Sequence, residues 1–152
     1  MARYAFLTTW LLDADRERVF GVVRDFEGWP GWWQGVEHVT LDGNGGMEQR
    51  WRSRLPYAVS FRAHVERIEA PALIEGRVED GALRGRGRCR LLELTEGGTA
   101  VVFELEVETT ERWMNLLAPA ARRIFVWNHD VLMRRGGEGI ARQLGARLLA
   151  QG

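Results

Sequence analysis

Few residues in this chain have the chemistry to act on a bound molecule, and their spacing narrows what that chemistry is. The three histidines, His38, His64 and His129, stand far apart, with none of the i, i+3 or i, i+4 spacings that seat a metal on a helix. Cys89 is the single cysteine, which excludes an internal disulfide and any multi-cysteine metal site. All 21 basic residues are arginine, and without lysine there is neither a Schiff base nor a lysine nucleophile. His129 and Asp130 adjoin in the word WNHD, yet adjacent helical residues point about 100° apart and do not act as one dyad. His129 alone is the catalytic candidate, since an imidazole with an ordinary pKa near 6.5 serves as general acid or base beside a cavity. A packing or surface histidine is the plainer reading. By alternation His64 falls on an arginine-bearing face and is expected in solvent, and His38 is uninformative. GALRGRGRC holds glycines but lacks the strand-then-helix setting of a phosphate-cradling loop. No Ser–His–Asp set, carboxylate pair or metal cluster remains, so neither metal nor cofactor is expected.

The elements that must position these groups follow from the hydrophobic pattern. Arg3 to Leu12 is rich in aromatic and β-branched residues and reads as a strand. Asp13 is the expected cap of a helix over Ala14 to Asp25, with Val19, Phe20 and Val23 as its buried stripe. FEGWPGWWQG, from Phe26 to Gly35, gathers Trp29, Trp32 and Trp33 around Pro30 and predicts a short helix or turn. From Val36 to Thr110 the period becomes two. Strands are predicted over Val36 to Asp42, Met47 to Leu55, Val59 onward to the break at Pro71, and Leu73 to Glu79. Gln49, Trp51 and Ser53 share one face of the second of these, and Arg50, Arg52 and Arg54 the other.

The clearest pattern lies in the last two strands. Arg84, Arg86, Arg88 and Arg90 alternate with Gly85, Gly87, Cys89 and Leu91. Beyond the Gly97-Gly98 turn, Glu104, Glu106 and Glu108 alternate with Phe103, Leu105 and Val107. Paired as an antiparallel hairpin, they give an Arg–Glu face and an apolar face, each opposed charge pair contributing about 0.2–1 kcal/mol. Ala120 to Ala150 reads as one helix, about 45 Å long at 1.5 Å per residue. Its apolar surface drifts around the axis, so it needs cover from more than one side. Gly136, Gly137 and Gly139 predict a bend or a close backbone approach.

Bulk properties exclude several function classes. At 152 residues the chain suits one domain with one core, spanning residues 1–152. Its 21 basic and 21 acidic residues cancel, which argues against a nucleic-acid partner. The arginine face is answered by glutamates and reads as solvated, not as an anion-binding surface. No uncharged stretch approaches the roughly 20 residues that span a bilayer, and Met1 to Leu12 lacks a basic leader and cleavage site. The expectation is a cytoplasmic protein without stable membrane insertion, a monomer or weak homodimer.

Strand, short helices, six strands and a long helix, in that order, resemble the START-like (SRPBCC) superfamily. Within it the chain is similar to proteins of the polyketide cyclase/dehydrase type. The words that carry the resemblance are DADRERVFGVVRDFEGWPGWW, LPYAVSFRAHVERIEAPALIEG, GALRGRGRCRLLEL with GGTAVVFELEV, and WMNLLAPAARRIFVWNHDVLMRRGGEGIARQL. The resemblance implies an α+β helix-grip (Bet v 1-like) fold. In it a seven-stranded curved antiparallel sheet wraps a long C-terminal helix, with two short helices after the first strand and a cavity between sheet and helix. It implies a small hydrophobic ligand such as a lipid, polyketide or aromatic compound. It supplies no catalytic set to carry over.

The residues expected to line that cavity are Trp51, Phe61, Phe103, Leu105 and Val107 from the dry sheet face, with Trp33, Trp113, Leu117 and Phe125 closing it. Gln49, Ser53, Cys89, Thr109, Asn128 and His129 are the polar or weakly polar groups near that side. For each the plain alternative is a filled core or a bond to nearby backbone. Three functions are open: a carrier of a small apolar molecule, an aromatase/cyclase or dehydrase using the same cavity, and an interaction module docking through WPGWW.

Overall fold

The computed structural model describes residues 3–52, 58–79, 81, 83–110 and 118–152. The chain opens with β1 (Arg3–Leu12), followed by α1 (Arg16–Arg24), a single 3-10 turn (Phe26–Gly28) and α2 (Trp29–Trp32). Strands β2 (Val36–Leu41), β3 (Gly46–Trp51), β4 (Val59–Glu69), β5 (Leu73–Glu79), β6 (Leu83–Glu93) and β7 (Thr99–Thr109) come next. The long helix α3 (Ala118–Leu144) and a short strand β8 (Leu148–Gln151) complete the chain. The strands form one sheet in the order β2-β3-β4-β5-β6-β7-β1-β8, antiparallel at every pairing. This is the α+β helix-grip arrangement, with eight strands where seven are expected.

The extra strand comes from the C-terminal residues, which do not continue the helix. Gly145, at φ +63°, stops α3. Its N–H donates to the Arg142 carbonyl at 3.1 Å while the Ala146 N–H donates to that of Ala141 at 2.9 Å, the paired bonds of a Schellman ending. Arg18 from α1 donates to the Leu144 carbonyl at 2.8 Å, satisfying another end-of-helix acceptor. The freed segment then pairs with β1, Trp10 opposite Gln151 and Leu11 opposite Ala150. Helical periodicity through ARQLGARLLA hides a strand of only four residues.

A second correction concerns the cap of α1. The capping carboxylate is Asp15, not Asp13: Asp15 is extended at φ −71°, ψ 155°, and its Oδ1 accepts from the Arg18 N–H at 3.0 Å. Asp13 is occupied elsewhere, its carboxylate 3.2 Å from Arg147 and its N–H bonded to the Arg147 carbonyl. Val19, Phe20 and Val23 form the buried face of α1, as their spacing predicts.

The three glycines of α3 mark a close approach, and the helix runs through them unbroken. A Cβ on Gly136 would lie 2.5 Å from Trp33 Cε2 and 2.6 Å from Trp10 Cζ2, and one on Gly139 only 1.9 Å from the Trp32 carbonyl oxygen. The indole N–H groups hold the approach: Trp10 donates to the Met133 carbonyl at 3.0 Å and Trp33 to that of Leu132 at 2.8 Å. Trp29, Trp32 and Trp33 are 8%, 9% and 2% exposed. Their burial removes the WPGWW word as a docking surface, because these rings are core.

The strands β6 and β7 pair as the expected antiparallel hairpin, with Arg84, Arg86 and Arg88 opposite Glu108, Glu106 and Glu104. Its charges also reach further strands. Arg84 pairs with Glu108 at 3.0 Å, whereas Arg86 reaches Glu66 on β4 at 3.5 Å and Arg88 lies between Glu75 and Glu104 at 3.4 and 3.7 Å. Exposed pairs of this kind contribute at most about 1 kcal/mol each. They make this face wet, and the stability comes from the other side.

Candidate ligand cavity

The strand registers align side chains into rows across the dry face. One row runs Val65, Gly76, Gly87, Leu105 and Phe6 from β4 to β1. The next runs Ile74, Cys89, Phe103 and Thr8. Near α2 the rows end in rings that pack tightly, Trp10 standing edge-on to Trp33 and Phe103 with centroids 5.2 and 4.6 Å away. Midway along the sheet the two glycines contribute no side chain, and the sheet and α3 stand apart.

The gap is a cavity of about 190 Å³. A smaller one of about 110 Å³ lies beside it, and Trp51, Phe61, Val78, Leu105, His129 and Met133 line both. Of the residues expected from sequence, Trp33, Gln49, Trp51, Phe61, Cys89, Phe103, Leu105 and His129 line the larger chamber. Phe125 and Asn128 line the smaller one. Val107 and Thr109 are buried but reach neither. Ser53, Trp113 and Leu117 lie outside the described residues. Sequence reasoning missed Phe6, Met47, Val78 and Met133. Alternation along β1 and β5 carried the signal for Phe6 and Val78, and Met133 lies on the helix stripe of His129.

The polar groups in this wall are few and mostly committed. Gln49 is buried; its Oε1 accepts from the Trp51 indole N–H at 2.8 Å and its amide N–H donates to Met47 Sδ at 3.1 Å. The amide therefore orients the Trp51 ring. Cys89 is buried, and desolvation pushes its thiol pKa well up, so it is a neutral wall group and not a nucleophile. Asn128 is 6% exposed and its Oδ1 has no hydrogen-bond partner among the described residues.

His129 is the one titratable side chain from α3 at both chambers. Its ring lies on that of Phe6, centroids 3.7 Å apart, and Nδ1 is enclosed without a hydrogen bond among the described residues. Asp130 Oδ1 stands 3.8 Å from Nδ1, too far to accept, and its side chain is 60% exposed. The pair is no dyad. Burial lowers the His129 pKa to about 4, outweighing the Asp130 charge, so the imidazole is neutral at neutral pH. Tyr4, one strand residue pair from Phe6, has its pKa raised by burial against the opposing charge of Arg122, whose guanidinium sits 5.0 Å over the ring. Among the described residues no three His, Cys, Asp or Glu side chains gather as a metal site. None of the described helices is long and apolar enough to cross a membrane.

Residues 6–150 match the family model described as polyketide cyclase / dehydrase and lipid transport. The chain belongs to this family. The polyketide cyclase/dehydrase architecture extends to solved structures at low identity. The Zhui aromatase/cyclase from a Streptomyces species superposes with a TM-score of 0.75 at 16% identity, over 95% of this chain and 94% of its own. A conserved protein from Geobacillus kaustophilus gives 0.76 at 15% identity, over 93% and 95%. A START superfamily protein from Mycobacterium smegmatis gives 0.67 at 15% identity, over 93% and 98%. At such identities these likenesses establish the START-like fold, and the chemistry must be argued from the site. No curated protein matches the chain by sequence.

Proposed function

We propose that the protein binds one small, uncharged, apolar molecule in the space between the sheet and α3. The observation that carries this reading is a chamber of about 190 Å³ walled by Trp33, Trp51, Phe61 and Phe103, with a second of about 110 Å³ beside it. Protein interiors pack at crystal density, and an apolar void costs stability in proportion to its size. An apolar cavity of about 150 Å³ accommodates benzene, so a guest of one or two fused rings, or a short folded chain, suits the larger chamber. The proposed contact residues are Trp33, Trp51, Phe61, Phe103, Leu105 and Phe125 for apolar surface, with Gln49, Cys89, Asn128 and His129 at its polar points. Native mass spectrometry of the gently purified protein, followed by a screen of neutral one- and two-ring compounds, tests it. A retained or added mass of an apolar compound supports the reading, and failure of every such compound to bind ends it.

A second reading is favoured by one observation, the neutral imidazole of His129 at both chambers. In a family of cyclases and dehydrases, the same cavity would hold a flexible polyketide-like chain near its reactive geometry. A neutral imidazole in the wall would accept a proton from one carbon and return it elsewhere. Turnover of a poly-β-keto analogue, lost in His129→Ala while the analogue still binds, is the outcome that separates enzyme from carrier.

A further inference from the structure

Three glycines interrupt the dry face of the sheet, Gly76 on β5 and Gly85 and Gly87 on β6, and of these Gly76 and Gly87 line the larger chamber. Glycine inside a strand is less favourable than alanine, and where it occurs something usually comes close to the backbone. At two of the three that something is the protein itself. A Cβ on Gly85 would lie 1.9 Å from the Glu106 carbonyl oxygen, and one on Gly76 2.7 Å from that of His64. Gly87 differs. Among the described residues a Cβ there would meet only Leu105 Cδ1, at an ordinary 3.6 Å, and its backbone lies outside the left-handed region. Neither strain nor a neighbouring group explains its missing side chain. It borders the larger chamber, in the cross-strand row that leads through Leu105 to Phe6, on whose ring His129 lies.

We propose that the bare backbone at Gly87 is the floor on which the guest lies, and that the absence of a side chain there sets the size of molecule admitted. The inference rests on the chamber being a ligand site, as proposed above. Gly76, directly across the strand pair from Gly87, widens the floor by one strand spacing, about 4.8 Å. A flat face can therefore approach the peptide planes without meeting a Cβ. Side chains added at Gly87 have room to enter the chamber and take up the guest's volume.

The series Gly87→Ala, Gly87→Val and Gly87→Leu tests this, with 1-aminonaphthalene as a polarity-sensitive neutral probe and toluene as a smaller competitor. Gly21→Ala, on α1, serves as a remote control. The wild type and Gly21→Ala are expected to bind both compounds. Along the series the naphthyl probe weakens progressively, by about tenfold to a hundredfold for valine and leucine, because the added side chain overpacks the occupied chamber. Toluene is retained longer, and the unfolding temperature holds or rises because the added methyls fill apolar space. The comparison is decided on the largest variant that still unfolds cooperatively. If that variant binds the naphthyl probe within about twofold of wild type, Gly87 is not the floor, and the ligand-site reading survives. If the wild type binds neither compound, both fall together.

Discussion

The imidazole of His129 on α3 lies flat against the ring of Phe6 on β1, centroids 3.7 Å apart and planes within 13°. The contact ties the helix to the sheet at the edge of the hollow, and it confines a titratable group where water is scarce. His129 cannot easily take a proton without losing that environment.

The stability of the protein should consequently fall as acid is added. Burial lowers the His129 pKa to about 4 in the fold, against an ordinary value near 6.5 in the unfolded chain. Between these values the unfolded chain holds a proton that the fold excludes. The contribution of neutral His129 is thus complete above the unfolded value and is lost as pH falls toward the folded one, by up to about 3 kcal/mol. Urea unfolding of wild type and His129→Gln across that window should show the wild type losing ground relative to the variant. Parallel pH profiles would mean that the imidazole titrates normally.

Two helical glycines should respond to alanine with opposite sign. Gly21 on α1 is exposed and has nothing within 4 Å of its Cβ position, so Gly21→Ala should stabilise by about 0.5–1 kcal/mol. Gly136 faces Trp33 and Trp10 at 2.5 and 2.6 Å. Gly136→Ala gains the same helix propensity but forces the rings or the helix to shift, for a net loss of about 1–3 kcal/mol. Thermal unfolding of the two variants side by side settles both signs.

Asn128 should be replaceable at a gain in stability. Its enclosed Oδ1 has no partner among the described residues, and an unsatisfied buried acceptor costs about 1–3 kcal/mol. Asn128→Leu, of the same branched shape and with the adjoining smaller chamber to take its larger methyl groups, should raise the urea midpoint. Binding of a guest that carries a hydrogen-bond donor should weaken in the same variant, while an unsubstituted hydrocarbon should be unaffected. A lowered midpoint would show that the amide is satisfied in solution.

Cys89 should be unreactive in the folded protein. It is enclosed and its thiol pKa is raised by burial, so a thiol-specific chromogenic reagent at mildly alkaline pH should label it only as fast as the sheet opens. Denaturant should release full reactivity. Prompt labelling of the native protein would mean that the chamber admits a charged aromatic reagent.

The sequence by itself determined the strands and their faces, because period-two alternation is a local property and the Arg and Gly words of β6 fall on opposite faces wherever the strand lies. It also determined the neutral charge balance, the lack of lysine chemistry and the lack of an internal disulfide. Family words added the helix-grip order, and with it a cavity position. Other features depended on contacts far apart in the chain. Asp13 engages Arg147, 134 residues away, and the cap is Asp15, the residue directly before the first of the helix. Residues 148–151 became a strand because the open edge of β1 offered them backbone partners that the helix did not. The glycines of α3 are tolerated because Trp10 and Trp33 fill the space their side chains would take. The size of the hollow was decided in the same way: Gly76 and Gly87, eleven positions apart, leave it open only because strand register sets them side by side. Local pattern fixes which face a side chain takes; only packing between distant segments fixes how much room is left above it.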